Sequence, residues 1–170
     1  MCRFSTEIKN IIQCLPIYKD IEVEYDSESN YMSKCCTPMK GQIENAKIVF
    51  RYNQTKLIYK MAFATDKETM DCIMKSIPQI DKISYEYSEI AYALFLVLHE
   101  AGHYYDYKSN PERYNKDFEG LESKKIENMS VEEYRNRPIE KRADAFAFEH
   151  FVESWNILNK SLFYNYLPKL

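Results

Sequence analysis

The sequence has only three glycines and six prolines among 170 residues, with no repeat and no low-complexity segment. Glycine and proline are the residues that most often interrupt helices and strands. Their scarcity therefore predicts a chain of mostly regular structure with few flexible linkers. The length fits one domain with its own hydrophobic core, so we treat residues 1–170 as a single domain.

The chain also lacks an excess of either charge and a long apolar run. Its formal net charge is -3, and basic residues alternate with acidic ones, as in EEYRNRPIEKR at 132–142. Proteins that bind nucleic acid usually carry a basic excess, so we expect no direct nucleic-acid partner. The longest apolar run, IAYALFLVL at 90–98, is far too short to cross a bilayer, so we expect a soluble protein without a membrane span.

The five cysteines include no CxxC pair. Residues 1–16 contain only a short, interrupted apolar stretch, so we expect no secretory signal. Free thiols without such a signal indicate a reducing cytosol, which makes the predicted localisation cytoplasmic. The neighbouring Cys35 and Cys36 could form a redox or metal-binding pair, or could be ordinary thiols.

Sequence patterns predict a helix, then a small sheet, then further helices, which is the α+β class. Residues 4–13 read as a short helix and residues 21–25 alternate like a half-buried strand. Residues 46–64 read as two strands on either side of a turn near Asn53 and Gln54. Thr65 and Glu68 form a capping-box pattern at the start of a helix over 65–77.

The second half of the chain is dominated by two long predicted helices, 85–107 and 138–159. The polar residues 108–129 between them read as an extended connection, with room for one helical turn. Ser130 and Glu133 form a second capping-box pattern, and Pro138 suits the first position of a helix. The aromatic-rich segment 162–170 is expected to pack back on the body of the protein.

The first long helix carries the sequence HEAGH, residues 99–103, an HExxH motif. Residues four apart lie on the same helix face, so His99 and His103 could converge on one tetrahedral metal ion. Glu100 is rotated away from both imidazoles and could hold a water beside the metal. The small residues Ala101 and Gly102 leave room for a second helix to pack closely behind the site. An alternative is that these are ordinary histidines of a partly buried helix.

Two observations favour the metal site. The motif follows directly on an apolar run, and it uses two of the three histidines in the chain. Two imidazoles and a water leave Zn²⁺ one protein ligand short, which the second long helix could supply through Glu140. Asp144 shares a face with Glu140 and could accept the free N–H of a ligating histidine. Alternatively, Glu140 and Asp144 belong to a solvated face with Lys141 and Arg142; the apolar residues 145–148 argue for an inward face.

HEAGH followed by E-x-x-A-D-x-F-A resembles the ImmA/IrrE family of HExxH metallopeptidases and, more distantly, the gluzincins. The resemblance covers about residues 46–152. It implies a minimal zincin-like fold, in which a small sheet packs on an active-site helix and on a second ligand-bearing helix. Carried over by position, it implies that His99, His103 and Glu140 bind zinc, that Glu100 is the general base, and that Asp144 accepts a hydrogen bond from His99. It also implies a cytosolic bacterial or phage-like protease acting on helix-turn-helix repressors.

In such a reaction zinc would acidify a water and polarise the scissile carbonyl. Glu100 would take the proton of the attacking water and pass it to the leaving amine. An anionic tetrahedral intermediate needs a further hydrogen-bond donor. The candidates near the motif are Tyr104, Tyr105, Tyr107 and Tyr114, although each could equally serve packing. His150 lies nearly opposite Glu140 on its helix, where surface or structural use is the better interpretation.

The functional hypothesis is a zinc-dependent endopeptidase that cleaves a protein partner. The alternative is a metal-containing binding module that inactivates a repressor by sequestration, and a weaker third option is a zinc hydrolase of non-peptide substrates. Glu100 favours chemistry, because a pure binder has no need of a base there. The segment KLIYKMAFA, 56–64, could pair with an extended peptide, and residues 108–137 could form a lid that pivots at Gly120. The sequence leaves the oligomeric state open.

Overall fold

The computed structural model describes residues 3–26, 34–36, 45–51, 85–118 and 129–166. Within these ranges the chain is mostly helical with one small sheet, which fits the α+β class. The helices are α1 (Arg3–Cys14), α2 (Tyr85–Ser109), α3 (Pro111–Phe118), α4 (Val131–Arg135) and α5 (Pro138–Tyr166), with a 3-10 turn at Pro16–Tyr18. The strands are β1 (Glu22–Asp26), β2 (Lys34–Cys36) and β3 (Lys47–Arg51).

The three strands form a mixed sheet in the order β1-β3-β2. β1 runs parallel to β3, with Val23 opposite Ile48, and β2 runs antiparallel to it, with Cys35 opposite Ile48. The central position of β3 explains why Ile48 and Phe50 are buried in the core. The predicted strand 21–25 and the first strand of 46–64 are confirmed. β2 was not predicted, because three residues are too few to show an alternating pattern.

The N-terminal helix and the 3-10 turn that follows it pack on α2 through apolar side chains. Ile11, Leu15 and Tyr18 are buried in the same core as Leu94 and Phe95 of α2. The Tyr18 hydroxyl donates a hydrogen bond to the carbonyl of Val97, which attaches the 3-10 turn to α2. The predicted helix 4–13 is thereby confirmed and belongs to the layer that supports the long helices.

The two long helices pack against each other and carry most of the core. Residues 93–95 and 97–98 of α2 are fully buried, and α5 contributes Ile139, Phe151 and Trp155 to the buried apolar set. Within the described ranges, no helix combines the length and apolar character that crossing a bilayer requires. The predicted helix 85–107 is confirmed, and its C-terminal half carries HEAGH.

The prediction of an extended connection after α2 is wrong over residues 108–118, which are mostly helical. Helix α2 continues to Ser109, and α3 begins at Pro111. The Asn110 side chain accepts a hydrogen bond from the backbone N–H of Arg113 at 2.9 Å, so it caps α3, and Pro111 occupies the first helical position. The proline that suggested a break therefore starts a helix. Residues 119–128, which include Gly120, lie outside the described residues, as do the predicted helix 65–77 and the segment 56–64.

The predicted start of the last two helices is confirmed in detail. Ser130 caps α4, and its side chain and backbone exchange hydrogen bonds with Glu133 in a full capping box. Pro138 is the first residue of α5. Helix α5 extends to Tyr166, beyond the predicted end at 159, so the backbone of 162–166 continues the helix, and residues 167–170 lie outside the described part of the chain.

Candidate metal centre

The two histidines of HEAGH point to one place. His99 and His103 lie one turn apart on α2, and their Nε2 atoms are 3.1 Å apart. Both residues are nearly buried, at 9% and 7% exposure. Two imidazole nitrogens that face each other at this distance need a proton or a cation between them, because lone pairs repel.

Helix α5 brings a third ligand atom to the same place. Glu140 is 4% exposed, and its Oε2 lies 3.2 Å from His99 Nε2 and 3.5 Å from His103 Nε2. Ligand atoms around a tetrahedral zinc, at bond lengths of 2.0–2.2 Å, are about 3.3–3.6 Å apart. The three atoms therefore occupy the corners that one small cation requires, and His99, His103 and Glu140 could hold a metal ion.

Comparisons of the chain with family models, curated proteins and solved structures give no match. The interpretation of the site therefore depends on its own geometry and on the chemistry of its donor atoms. Two imidazoles and one carboxylate suit a divalent transition metal better than Ca²⁺ or Mg²⁺, which prefer oxygen ligands.

Asp144 lies behind His99, one turn beyond Glu140 on α5. Its Oδ1 is 2.8 Å from His99 Nδ1, and its Oδ2 accepts a hydrogen bond from Arg135 Nη2 at 2.9 Å. This contact fixes the ring so that Nε2 faces the other two ligand atoms. The pairing of Asp144 with His99 follows the prediction. Arg135 was not predicted, and it shows that α4 also supports the site.

The close approach of α2 and α5 depends on Gly102. A Cβ atom added there would lie 2.9 Å from both Cα and O of Ala143, and 3.1 Å from Cβ of Phe146. The two contacts at 2.9 Å are to backbone atoms of Ala143, which cannot move aside as a flexible side chain can. Gly102 and Ala143 therefore place the two histidines within reach of Glu140, as the small residues in both motifs suggested.

The charged groups of the site shift the pKa values of His99 and Glu140 in opposite directions. Burial of the His99 ring opposes its protonation, but the hydrogen bonds to Asp144 and Glu140 and the charge of Glu100 outweigh burial and raise the pKa of His99 to about 10. Burial alone would raise the pKa of Glu140, yet its contacts with His103 and His99 hold that pKa well below its usual range. A cation at the site would replace the proton of His99.

Glu100 is buried at 7% exposure, directly beside the ligand residues on α2. The negative charge of Glu100 helps to raise the pKa of His99. It also acts on Tyr134 of α4, whose pKa is raised mainly by burial and secondly by the charge of Glu140. Tyr134 therefore stays neutral and keeps its proton at physiological pH. It was not among the predicted tyrosines, although the effect of Glu140 on its pKa shows that it lies near the site.

The four predicted tyrosines are distributed differently. The hydroxyls of Tyr104 and Tyr105 donate to the carbonyls of Asp20 and Ile17, at 3.3 Å and 2.9 Å, on the side of the N-terminal segment. The Tyr107 ring packs on Tyr114, whose own ring centroid lies 6.2 Å from that of His103. Of the four, Tyr114 is therefore the one whose ring lies beside a candidate ligand residue, His103.

His150, the third histidine of the chain, lies against an aromatic side chain. The His150 ring packs on Phe146 at a centroid distance of 4.4 Å, in keeping with a structural role.

An open groove of about 310 Å³ between α2 and α5 is lined by Gly102, Asp106, Arg142 and neighbouring residues, and includes none of His99, His103 and Glu140. On strand β2, Cys35 lies opposite Ile48 of β3 and Cys36 lies opposite Lys47 of β3.

Proposed function

We propose that the chain is a zinc-dependent endopeptidase with a zincin-like fold, which acts in the cytoplasm on a protein partner. A helix-turn-helix transcriptional repressor is the candidate substrate, from the resemblance to the ImmA/IrrE family. The observation that carries the proposal is the convergence of His99 Nε2, His103 Nε2 and Glu140 Oε2 within 3.1–3.5 Å of one another.

The donor set and its surroundings support zinc and support catalysis. Catalytic zinc sites commonly use three protein ligands from histidine and carboxylate and keep the fourth position for water or substrate. A bound Zn²⁺ would supply an acidified water and a polarised carbonyl. Glu100, next to the ligands, would accept the proton of the attacking water and deliver it to the leaving amine. Tyr134, whose pKa Glu140 raises, and Tyr114, whose ring centroid lies 6.2 Å from that of His103, are the candidate donors to an anionic intermediate.

The metal part of the proposal is tested by zinc analysis of the purified full-length chain. We expect about one zinc per chain, as three ligands in one place imply, and loss of that zinc in Glu140→Ala. Glu153→Ala is the matched control, because Glu153 is an exposed residue of the same helix. Equal zinc content in the two variants would contradict the assignment of Glu140 as a ligand.

The catalytic part is tested with Glu100→Gln, which keeps the shape of the side chain and removes the base. We expect this variant to retain zinc and to lose roughly 100- to 10,000-fold in cleavage of a synthetic peptide library read by mass spectrometry. With a co-expressed repressor and a reporter gene, the variant should also fail to relieve repression. Relief by Glu100→Gln at the wild-type level would instead show that the protein acts by sequestration.

A further inference from the structure

Arg137 occupies an unusual position for an arginine. It lies at the corner between α4 and α5, and its side chain is only 10% exposed. Its Nη1 atom is 3.7 Å from Oε1 of Glu140, whereas Oε2 of the same carboxylate faces the two histidines. The two oxygens of Glu140 thus have different neighbours: a guanidinium on one side and the candidate metal position on the other.

The surroundings of this guanidinium are mostly apolar. Its Cζ lies 5.1 Å from the ring centre of Tyr134 and 5.8 Å from that of Phe118. Its Nη2 atom is buried and has no hydrogen-bond partner within the described residues. Cation–π contacts offset part of the cost of burying a charge, but a buried N–H without an acceptor remains unfavourable.

Packing alone does not explain an arginine at this corner. A methionine or leucine would fill similar space between the two rings without desolvating a charge. The acidic group with which Arg137 forms an ion pair in the described structure is Glu140. The charge of Arg137 therefore acts on Glu140, and through it on the metal position.

We infer that Arg137 is a positioning residue of the metal centre, which engages Oε1 of Glu140 so that the carboxylate binds the cation through Oε2 alone. This inference rests on the proposed zinc site. Its functional consequence concerns the fourth coordination position. A carboxylate that turned to bind through both oxygens would occupy the position that a catalytic site keeps for water or substrate.

The coordination can be read with Co²⁺, whose visible absorption is stronger in four-coordinate than in five-coordinate sites. The full-length chain would be loaded with one equivalent of Co²⁺, and its spectrum and zinc affinity compared for the wild type, Arg137→Met and Arg137→Lys. Arg113→Met is the control, because Arg113 also pairs with a carboxylate, but with that of Asp106 and not with that of Glu140. Asp106 keeps its bond to Arg142 in that control.

We expect Arg137→Met to weaken the visible absorption and to lower the Kd for zinc about 10-fold, because the carboxylate gains a second bond to the cation and a neighbouring positive charge is removed. Arg137→Lys restores the charge and should bring the absorption and the Kd for zinc most of the way back to the wild-type values. Arg113→Met should change neither the absorption nor the Kd. Should Arg137→Met fail to fold by circular dichroism, Arg137→Gln provides a second neutral variant.

An unchanged spectrum and an unchanged zinc affinity in a folded neutral variant would overturn the inference and leave the proposed zinc site in place. A wild-type chain that binds neither Zn²⁺ nor Co²⁺ would overturn the proposed function and this inference together. The two failures are thus distinguishable, because one appears in a variant and the other already in the wild type.

Discussion

His99 Nδ1 and Asp144 Oδ1 are 2.8 Å apart across the interface of α2 and α5. This contact joins the two sequence motifs, since one residue comes from HEAGH and the other from the acidic pair of the last helix. It orients the His99 ring, and Arg135 in turn fixes Asp144 by donating a hydrogen bond to its other carboxylate oxygen.

Asp144→Asn should weaken zinc binding by about 10- to 100-fold, because an amide is a poorer acceptor for the imidazole N–H and carries no charge. The measurement is competition with a zinc chelator, and the control is Asp117→Asn. Asp117 accepts a hydrogen bond from Arg142 at 2.6 Å, and in the described part of the chain it pairs with neither histidine of HEAGH. Equal affinities in the two variants would show that Asp144 does not orient His99.

Gly102→Ala should destabilise the protein, although the helix propensity of alanine alone would stabilise it by roughly 1 kcal/mol. The new Cβ would meet the backbone of Ala143 at 2.9 Å, and overpacking of this kind costs about 1–3 kcal/mol. The two helices must then separate, which should also weaken zinc binding. Urea unfolding measures the free energy, and a variant more stable than the wild type would contradict the close approach.

In the protein without metal, His99 should remain an imidazolium through pH 8, because its pKa is raised to about 10. With only three histidines in the chain, nitrogen NMR of labelled histidine can follow it, and His150→Gln simplifies the assignment. Asp144→Asn should lower the midpoint of His99. A midpoint near 6.5 in the wild type would contradict the network.

The sign of the effect on stability follows from the same pKa. A histidine whose pKa is higher in the folded than in the unfolded protein stabilises the fold fully below about pH 6.5. That contribution should be lost as the pH rises from there through about 10. The free energy of unfolding of the metal-free chain should therefore fall across this range, and Asp144→Asn should reduce the slope.

The closeness of the candidate ligand residues could be predicted because helical spacing determines which side chains share a face. His99 and His103 share a face of any helix that contains them, and Glu140 and Asp144 share a face of the next long helix. That these two faces meet could be inferred from the small residues Gly102 and Ala143. The capping box at Ser130 and the proline at the start of α5 were equally local signals.

The supporting groups were missed because they depend on a corner of the backbone. Arg135, Arg137 and Tyr134 reach the site only through the turn between α4 and α5, whose direction the sequence pattern does not specify. Tyr104 and Tyr105 were candidates by closeness in the chain, yet their hydroxyls bond to carbonyls of the N-terminal segment. Helical spacing sets the side of the helix on which a residue lies. Applied to Tyr104 and Tyr105, it would have placed them on a different side from His99 and His103.

We propose that one zinc ion binds to His99, His103 and Glu140. Zinc-edge X-ray absorption of the full-length chain with one equivalent of zinc distinguishes these ligands from thiolates, because the five cysteines offer the competing kind of ligand. We expect nitrogen and oxygen ligands only, at about 2.0–2.2 Å, with the pattern of two imidazole rings. Sulfur at about 2.3 Å, or no imidazole pattern, would contradict it.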